Sequence, residues 1–372
     1  MKGEQKLISV IVTAYNRKQY LPYALRSLEA QTLPRDRFEV IVVKNFEDPA
    51  SDEIIRRNGW KFVYSDESHQ SRFLLAGLEE ARGDVVTFLD DDDMYCRERL
   101  EEIYKAFTKY SNIVYFHNNF WIVDQNDNKI RPDSPLRNSQ ETDLIISTSK
   151  LRQPVANVGL CRWEYLALLR QDVWGNVAKN SSSIAVSRLV IDSFKPQIGP
   201  VNLGIDDAFF VYSLLTDGYL YITLRPLTHY RVHWESFDYR ISSQRSKAFN
   251  PSALLQEARE TLRLASTYNK LAKILPTECE CNTYKVGSTG ELLHLYIMPL
   301  TEVNRLEPMI SLSEMISFMK CSSLRSHIQG KGFRYYAYAM LRLALPVLLH
   351  AMGSAHLKRL AYITASSLNV SG

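Results

Sequence analysis

The chain has 372 residues, enough for one large α/β domain with an appendage or for two domains. Its 45 Lys+Arg stand against 41 Asp+Glu, a formal net charge of +4 that argues against nucleic acid as a partner. With 45% apolar residues the chain reads as globular.

The pattern from residue 7 alternates strand and helix. Residues 7–13 are β-branched and apolar, too short a run for a signal peptide and better suited to a first strand. Residues 20–31 place Leu21, Ala24, Leu25 and Leu28 on one helical face, with Pro22 tolerated in the first turn. A second strand at 38–43, a helix at 52–58, a short strand at 61–64, a helix at 72–81 and a strand at 84–89 complete a βαβαβαβ order. That order predicts a parallel sheet with right-handed crossovers and a ligand site at the carboxyl ends of its strands.

At one such end stand Asp90, Asp91, Asp92 and Asp93. Two carboxylates about 4 Å apart repel by roughly 4 kcal/mol at an effective dielectric near 20, so the run calls for a cation. If the strand continues, Asp90 and Asp92 share one face and Asp91 and Asp93 the other. Oxygen donors without a neighbouring Cys or His suit Mg²⁺ or Mn²⁺ better than Zn²⁺. A solvated acidic turn is the other reading of the same four residues.

Beyond residue 112 the segments turn aromatic. A strand is expected over 112–123, a hairpin turn at Asp124-Gln125-Asn126-Asp127-Asn128, a loop over 140–157, and a helix opening at Asp206-Asp207. Asp at a helix start caps it or is left for other work. From about 246 the composition is helical, so the division expected is 1–245, with halves 1–110 and 111–245, and 246–372. Residues 335–352 are the most apolar run but carry Arg342 and Pro346, which suits a packed or interfacial helix before a transmembrane one. The five cysteines, Cys96, Cys161, Cys279, Cys281 and Cys321, are odd in number and lack a C-x-x-C pair. Neither a disulfide framework nor a zinc ribbon is therefore expected, and a reducing compartment fits.

Three segments in order, residues 8–17 (ISVIVTAYNR), 38–43 (FEVIVV) and 81–93 (ARGDVVTFLDDDD), resemble the family-2 glycosyltransferases over roughly residues 7–240. The resemblance implies an α/β GT-A fold, a Rossmann-like mixed sheet flanked by helices, here with a C-terminal helical appendage. It also implies an inverting, hexosyltransferase-type enzyme that moves a sugar from a nucleotide-diphosphate donor to a glycan or lipid-linked acceptor. On that resemblance Thr13, Ala14, Tyr15 and Asn16, with Arg17 beside them, meet the nucleotide. Asp90 and Asp92 bind the metal with Asp93 in support, and Asp91 becomes a nucleotide or structural contact. Asp207 serves as general base beside Asp206, a role that typically contributes 10²- to 10⁴-fold. Arg231 offsets phosphate charge, and His233 approaches the metal or is structural.

The chain departs from the family at two places. Lys44-Asn45-Phe46-Glu47-Asp48 stands where the family has Asp-Asp-Gly-Ser, leaving Asn45 to meet a base with an amide in place of a carboxylate. Leu74-Leu75 replaces an Arg-Asn pair before Gly77, leaving Arg72 as the nearby cation for a diphosphate. A sugar-phosphate nucleotidyltransferase is the rival enzyme class, although its phosphate loop after the first strand needs glycine that residues 13–17 lack. A non-catalytic sugar-nucleotide binder is the other rival. The expected location is cytoplasmic, with peripheral contact at the inner face of the membrane through the C-terminal helices.

Overall fold

The computed structural model describes residues 6–68, 70–132, 143–169, 177–198, 205–233, 251–276, 279–297 and 312–328. Two compact units divide the chain: residues 1–153 with 170–236, and residues 154–169 with 237–372. Residues 154–169, which the sequence division places within 1–245, group with the second unit.

In the first unit, β1 (Ile8–Ala14) pairs in parallel with β2 (Phe38–Lys44) and β4 (Val85–Asp90), and β2 pairs with the edge strand β3 (Lys61–Tyr64). The register sets Ala14 beside Lys44 and Thr13 beside Asp90, so three strands finish level at one edge. Alternation sends Ile8, Val10, Val12 and Ala14 to one face and Ser9, Ile11 and Thr13 to the other, and β1 is covered on both. Ile8, Val10, Val12 and Ala14 join a core with Leu21, Leu25 and Leu28 of α1 (Leu21–Glu29), Ile54 and Ile55 of α2 (Pro49–Arg57), and Leu100 and Ile103 of α4 (Arg99–Lys109). On the opposite face Ile11 meets α3 (Gln70–Glu80) at Gly77. A Cβ there would lie 2.6 Å from Ile11 Cγ2 and 2.9 Å from Val43 Cγ2, so only glycine admits this approach.

The second half of the sheet is mixed. Its strands are β5 (Met94–Tyr95), β6 (Ile113–Val123), β7 (Lys129–Pro132), β8 (Asp143–Ser147), β9 (Ile184–Ser187) and β10 (Tyr219–Arg231). β9 runs antiparallel between β4 and β6 and joins the halves, giving the order β3-β2-β1-β4-β9-β6-β10-β5. Within the loop expected over 140–157, of which 140–142 lie outside the described residues, 143–147 form β8 and Thr148–Arg152 the short helix α5, while 153–157 form no helix or strand. In β8, Leu144-Ile145-Ile146 finds an antiparallel partner in β10, a long-range pairing that the surrounding Ser and Thr residues hide. Within β10 the register to β6 shifts on both sides of Pro226, which has no N–H for the ladder. Past this break Thr228 and His229 pair with Tyr95 and Met94, bringing the end of β10 to the strand that follows the four aspartates.

Two further helices cover this half, α7 (Arg188–Ile198) and α8 (Ile205–Leu215). α8 is fixed to β4 by the stacked rings of Phe209 and Phe88, 4.4 Å between centroids. α7 meets the same Phe209 through Phe194.

The second unit contains α6 (Arg162–Leu169), α9 (Pro251–Ile274), α10 (Thr283–Ile297) and α11 (Leu312–Ile328). Here the cysteine expectation is overturned: Cys161 pairs with Cys279 and Cys281 with Cys321, with Cα–Cα separations of 5.2 and 5.3 Å. Spacing along the chain conceals the pairing because the partners are 118 and 40 residues apart. Disulfides are rare in reducing compartments, so these pairs also do not fit the compartment inferred from cysteine spacing. Among the described residues no helix is long and apolar enough to cross a membrane, and the apolar run 335–352 lies outside them.

Candidate active site

The four aspartates do not continue the strand. β4 stops at Asp90, and Asp93 N–H bonds back to Asp90 O at 3.1 Å, closing a turn. The expected two-face alternation therefore does not apply, and each carboxylate finds its own surroundings.

Asp90 accepts from Thr13 Oγ1 at 3.0 Å and Ser181 Oγ at 2.6 Å, while its N–H donates to Ser182 Oγ at 3.1 Å. Burial raises its pKa, Asp92 raises it further, and the two hydroxyls and Arg17 pull it back. Asp91, 3% exposed, takes a two-pronged contact from the Arg17 guanidinium, with Nε at 3.1 Å. Asp92 Oδ2 lies 2.8 Å from Arg17 Nη2 and 3.0 Å from His233 Nε2. Asp93 is fully enclosed; Oδ1 accepts the Arg231 N–H at 3.0 Å, and Oδ2 is buried without a hydrogen-bond partner. Burial, then Asp92 and Asp90, hold its pKa well above the usual carboxylate range.

One guanidinium, that of Arg17, thus answers the charge of the run from within the chain, and a second, that of Arg231, holds the backbone of the turn. Arg17 stays protonated: burial alone would lower its pKa, but Asp91, Asp92 and Asp90 together raise it. Arg231, 2% exposed, is spent on the framework. Nε donates to Asp92 O at 2.8 Å, Nη1 to Gln125 O at 3.1 Å, and Nη2 pairs with Asp127 at 2.5 Å. It ties the aspartate turn to the 124–128 hairpin, which forms where the sequence places it.

The nucleotide-side residues gather on the loops after β1 and β2. Asn16, at φ 54°, donates its N–H to Asn45 Oδ1 at 2.8 Å and accepts from Asn45 Nδ2 at 2.7 Å. This reciprocal amide pair joins the two loops. Ala14 is buried, and Tyr15 is 41% exposed with its ring edge-on to Phe73 of α3. Lys44, where the family has a carboxylate, is 1% exposed, bonded to Phe46 O and paired with Asp52 at 2.5 Å. Asp48 caps α2 through Ser51 N–H. Beside them opens a cleft of about 720 Å³ lined by Lys44, Asn45, Trp60, Phe62 and Tyr64. Arg72, half-exposed on α3, lies 3.8 Å from Glu67.

Asp206 and Asp207 open α8. The Asp206 carboxylate is raised well above its usual pKa by burial, then by Asp90 and Asp207, and accepts from the backbone of Ser181 and Asn180. The helix held by Phe209 therefore carries an acid to within electrostatic reach of Asp90, 116 positions earlier in the sequence. Both acids also bear on Tyr115, whose hydroxyl they hold protonated after burial.

Two contributors escape sequence reading. The turn at Ser181–Ser183 supplies hydroxyls to Asp90, and Asn180 (φ 62°) caps it by accepting from Ser182 N–H. An Asn followed by three Ser was the available signal. Tyr20 places its ring 5.0 Å from His233 and 4.5 Å from the Arg231 guanidinium. Nothing in its local sequence separates it from an ordinary helix-flanking aromatic.

Residues 9–175 match the family model for glycosyl transferase family 2. An uncharacterized glycosyltransferase of Haemophilus influenzae is 31% identical over 116 residues, 30% of this chain and 38% of that protein. An uncharacterized glycosyltransferase of Nostoc sp. is 27% identical over 233 residues, 61% of this chain and 65% of that one. The chain thus spans less than two thirds of the length of either relative. In fold it is similar to S. aureus TarS 1–349 in complex with UDP-GlcNAc, at TM-score 0.50 and 14% identity over 96% of this chain and 91% of that one. With the level strand ends, the aspartate turn and the acidic opening of α8 in place, the chain has the GT-A fold and matches glycosyl transferase family 2 over residues 9–175.

Proposed function

We propose that the chain transfers a sugar from a nucleotide-diphosphate donor to a hydroxyl of a glycan or lipid-linked acceptor, with inversion at the anomeric carbon and with Mg²⁺ or Mn²⁺. The observation that carries this reading is the convergence of Thr13, Arg17, Asp90–Asp93, His233 and Asp206 at the carboxyl ends of β1 and β4. The donor class follows the nucleotide sugar that TarS holds.

Among the described residues no three His, Cys, Asp and Glu side chains stand ready as a metal cage. The donor set nevertheless fits a hard cation: adjacent carboxylates, raised pKa values at Asp90 and Asp93, and a buried Asp93 oxygen without a partner. Asp90 and Asp92 would hold the ion, with Asp93 and His233 beside them. When bound, it supplies positive charge to the leaving diphosphate.

The protein groups do the rest. Asp206 is committed to the Asn180 and Ser181 amides and steadies the start of α8, and its neighbour Asp207 takes the proton of the acceptor hydroxyl as that oxygen attacks the anomeric carbon. Asn16 and Asn45 hold the loops that receive the nucleotide.

The test combines a thermal-shift panel of UDP, GDP, dTDP and CMP sugars with Mn²⁺ and an assay for released nucleotide in the presence of acceptor. A cognate donor at 100 times its dissociation constant adds about 2.7 kcal/mol of stability. Asp92→Asn and Asp207→Asn are expected to stay folded and lose turnover. Full activity in either variant would sink the assignment, and a donor shift without nucleotide release would make the chain a binder.

A further inference from the structure

Arg17 is paired with carboxylates of the candidate metal site. Its guanidinium grips Asp91 by two nitrogens, with Nη2 2.8 Å from Asp92 Oδ2 and Nη1 3.3 Å from His233 Nε2. His233 Nε2 is in turn 3.0 Å from Asp92 Oδ2. One ring nitrogen cannot serve both neighbours. As N–H it donates to Asp92, and as a bare nitrogen it accepts from Arg17. The triangle of Arg17, Asp92 and His233 therefore has one more close polar approach than it has hydrogen bonds, whichever tautomer is present.

The two guanidiniums that touch the aspartate turn also differ in their freedom. Arg231 is 2% exposed and engages Asp92 O, Gln125 O and Asp127, so its head is held from several directions. The Arg17 side chain is 24% exposed, sits on the loop that follows β1, and meets carboxylates that are also candidate metal ligands.

We propose that Arg17 is an exchangeable internal counter-ion. It neutralises Asp92 until a divalent cation takes that carboxylate, and the displaced guanidinium, still anchored near Asp91, becomes a donor for a phosphate oxygen. No covalent bond changes. The inference rests on the reading of Asp92 as a metal ligand and deepens it, because it makes metal uptake and phosphate binding respond oppositely to one side chain.

The test is Mn²⁺ binding to the full chain without nucleotide, read from the loss of the free-ion electron paramagnetic resonance signal. Inorganic pyrophosphate binding at saturating Mn²⁺ is then measured by calorimetry. Arg17→Gln is expected to bind Mn²⁺ at least tenfold more tightly and pyrophosphate at least tenfold more weakly than the unaltered chain. A residue that only props the loop would weaken both. Equal or weaker Mn²⁺ binding in folded Arg17→Gln, with Asp92→Asn losing the ion, overturns the exchange alone. Equal Mn²⁺ binding in Asp92→Asn and the unaltered chain overturns the metal reading and this inference with it. Should Arg17→Gln not fold, Mn²⁺-soaked crystals of the unaltered chain decide the matter. Anomalous density at Asp92 with the guanidinium withdrawn supports the exchange, and density beside an unmoved Arg17 overturns it.

Discussion

In the first unit the irregular segment that matters, the turn from Asp90 to Asp93, is held by charge and hydrogen bonds: Arg17 and Arg231, the Thr13 and Ser181 hydroxyls, and His233. In the second unit the comparable segment, residues 154–161, is held covalently, through Cys161 to Cys279, with Cys281 N–H on Gly159 O at 3.0 Å. Even there one buried acid recurs. Glu164 is pushed up to about 7 by burial, against Arg325 at 3.1 Å and N–H donors from Cys161 and Thr283. The contrast shows what each fastening permits. Ion pairs can be handed to an incoming cation or phosphate, whereas a disulfide between 118-residue-distant partners can only persist or be reduced.

The largest expected effect breaks the covalent side. Replacing Cys279 by Ser removes a closure of 118 residues, worth about 5 kcal/mol in the chain-entropy account. Hydrogen exchange should accelerate over residues 154–169 and 279–297 and stay unchanged over β1, β2 and β4. Equal protection throughout would show that the disulfide is not what holds the segment.

Next comes the charged side. Arg231→Met takes the guanidinium from Asp127 and from the Asp92 and Gln125 carbonyls but leaves the Arg231 N–H on Asp93, and each hydrogen bond to a charged group contributes about 1.5–3 kcal/mol. Urea unfolding measures it, and a loss below about 1 kcal/mol would mean that the turn does not depend on this guanidinium.

The smallest effect sharpens the comparison through pH. His117, on β6 with Nε2 3.0 Å from Lys179 O, is lowered from 6.5 to about 4, first by burial. Between those values the unfolded chain binds the proton and the folded chain does not, so stability rises with pH through the window and is lost on acidification. The full contribution is about 3 kcal/mol. His117→Gln should flatten the stability slope between pH 4 and 6.5; an unchanged slope would exclude His117 as its source.

Legibility followed range. Strands β1, β2 and β4 and helices α1 and α3 could be read because burial on both faces and helical periodicity are written within a few residues. The strand β8 could not, since its partner β10 lies more than seventy positions on. Among site residues, Thr13, Arg17, Asp90–Asp93, Arg231 and His233 were named from the sequence and do come together. Ser181, Ser182 and Tyr20 were not, because a hydroxyl or a ring becomes part of a site only through what folds against it.

By itself the sequence determined that an acidic run would end a buried strand and that its charge had to be answered, since both follow from adjacent side chains and the periodicity before them. Tertiary structure alone decided what answers it. Asp91 and Asp92 meet a guanidinium from residue 17, Asp93 an amide from residue 231, and Asp90 the hydroxyls of Thr13 and Ser181. The physical reason is that Coulomb and hydrogen-bond energies depend on separation in space, which the parallel register of β1 with β4 and the register shift at Pro226 create from residues far apart in the chain.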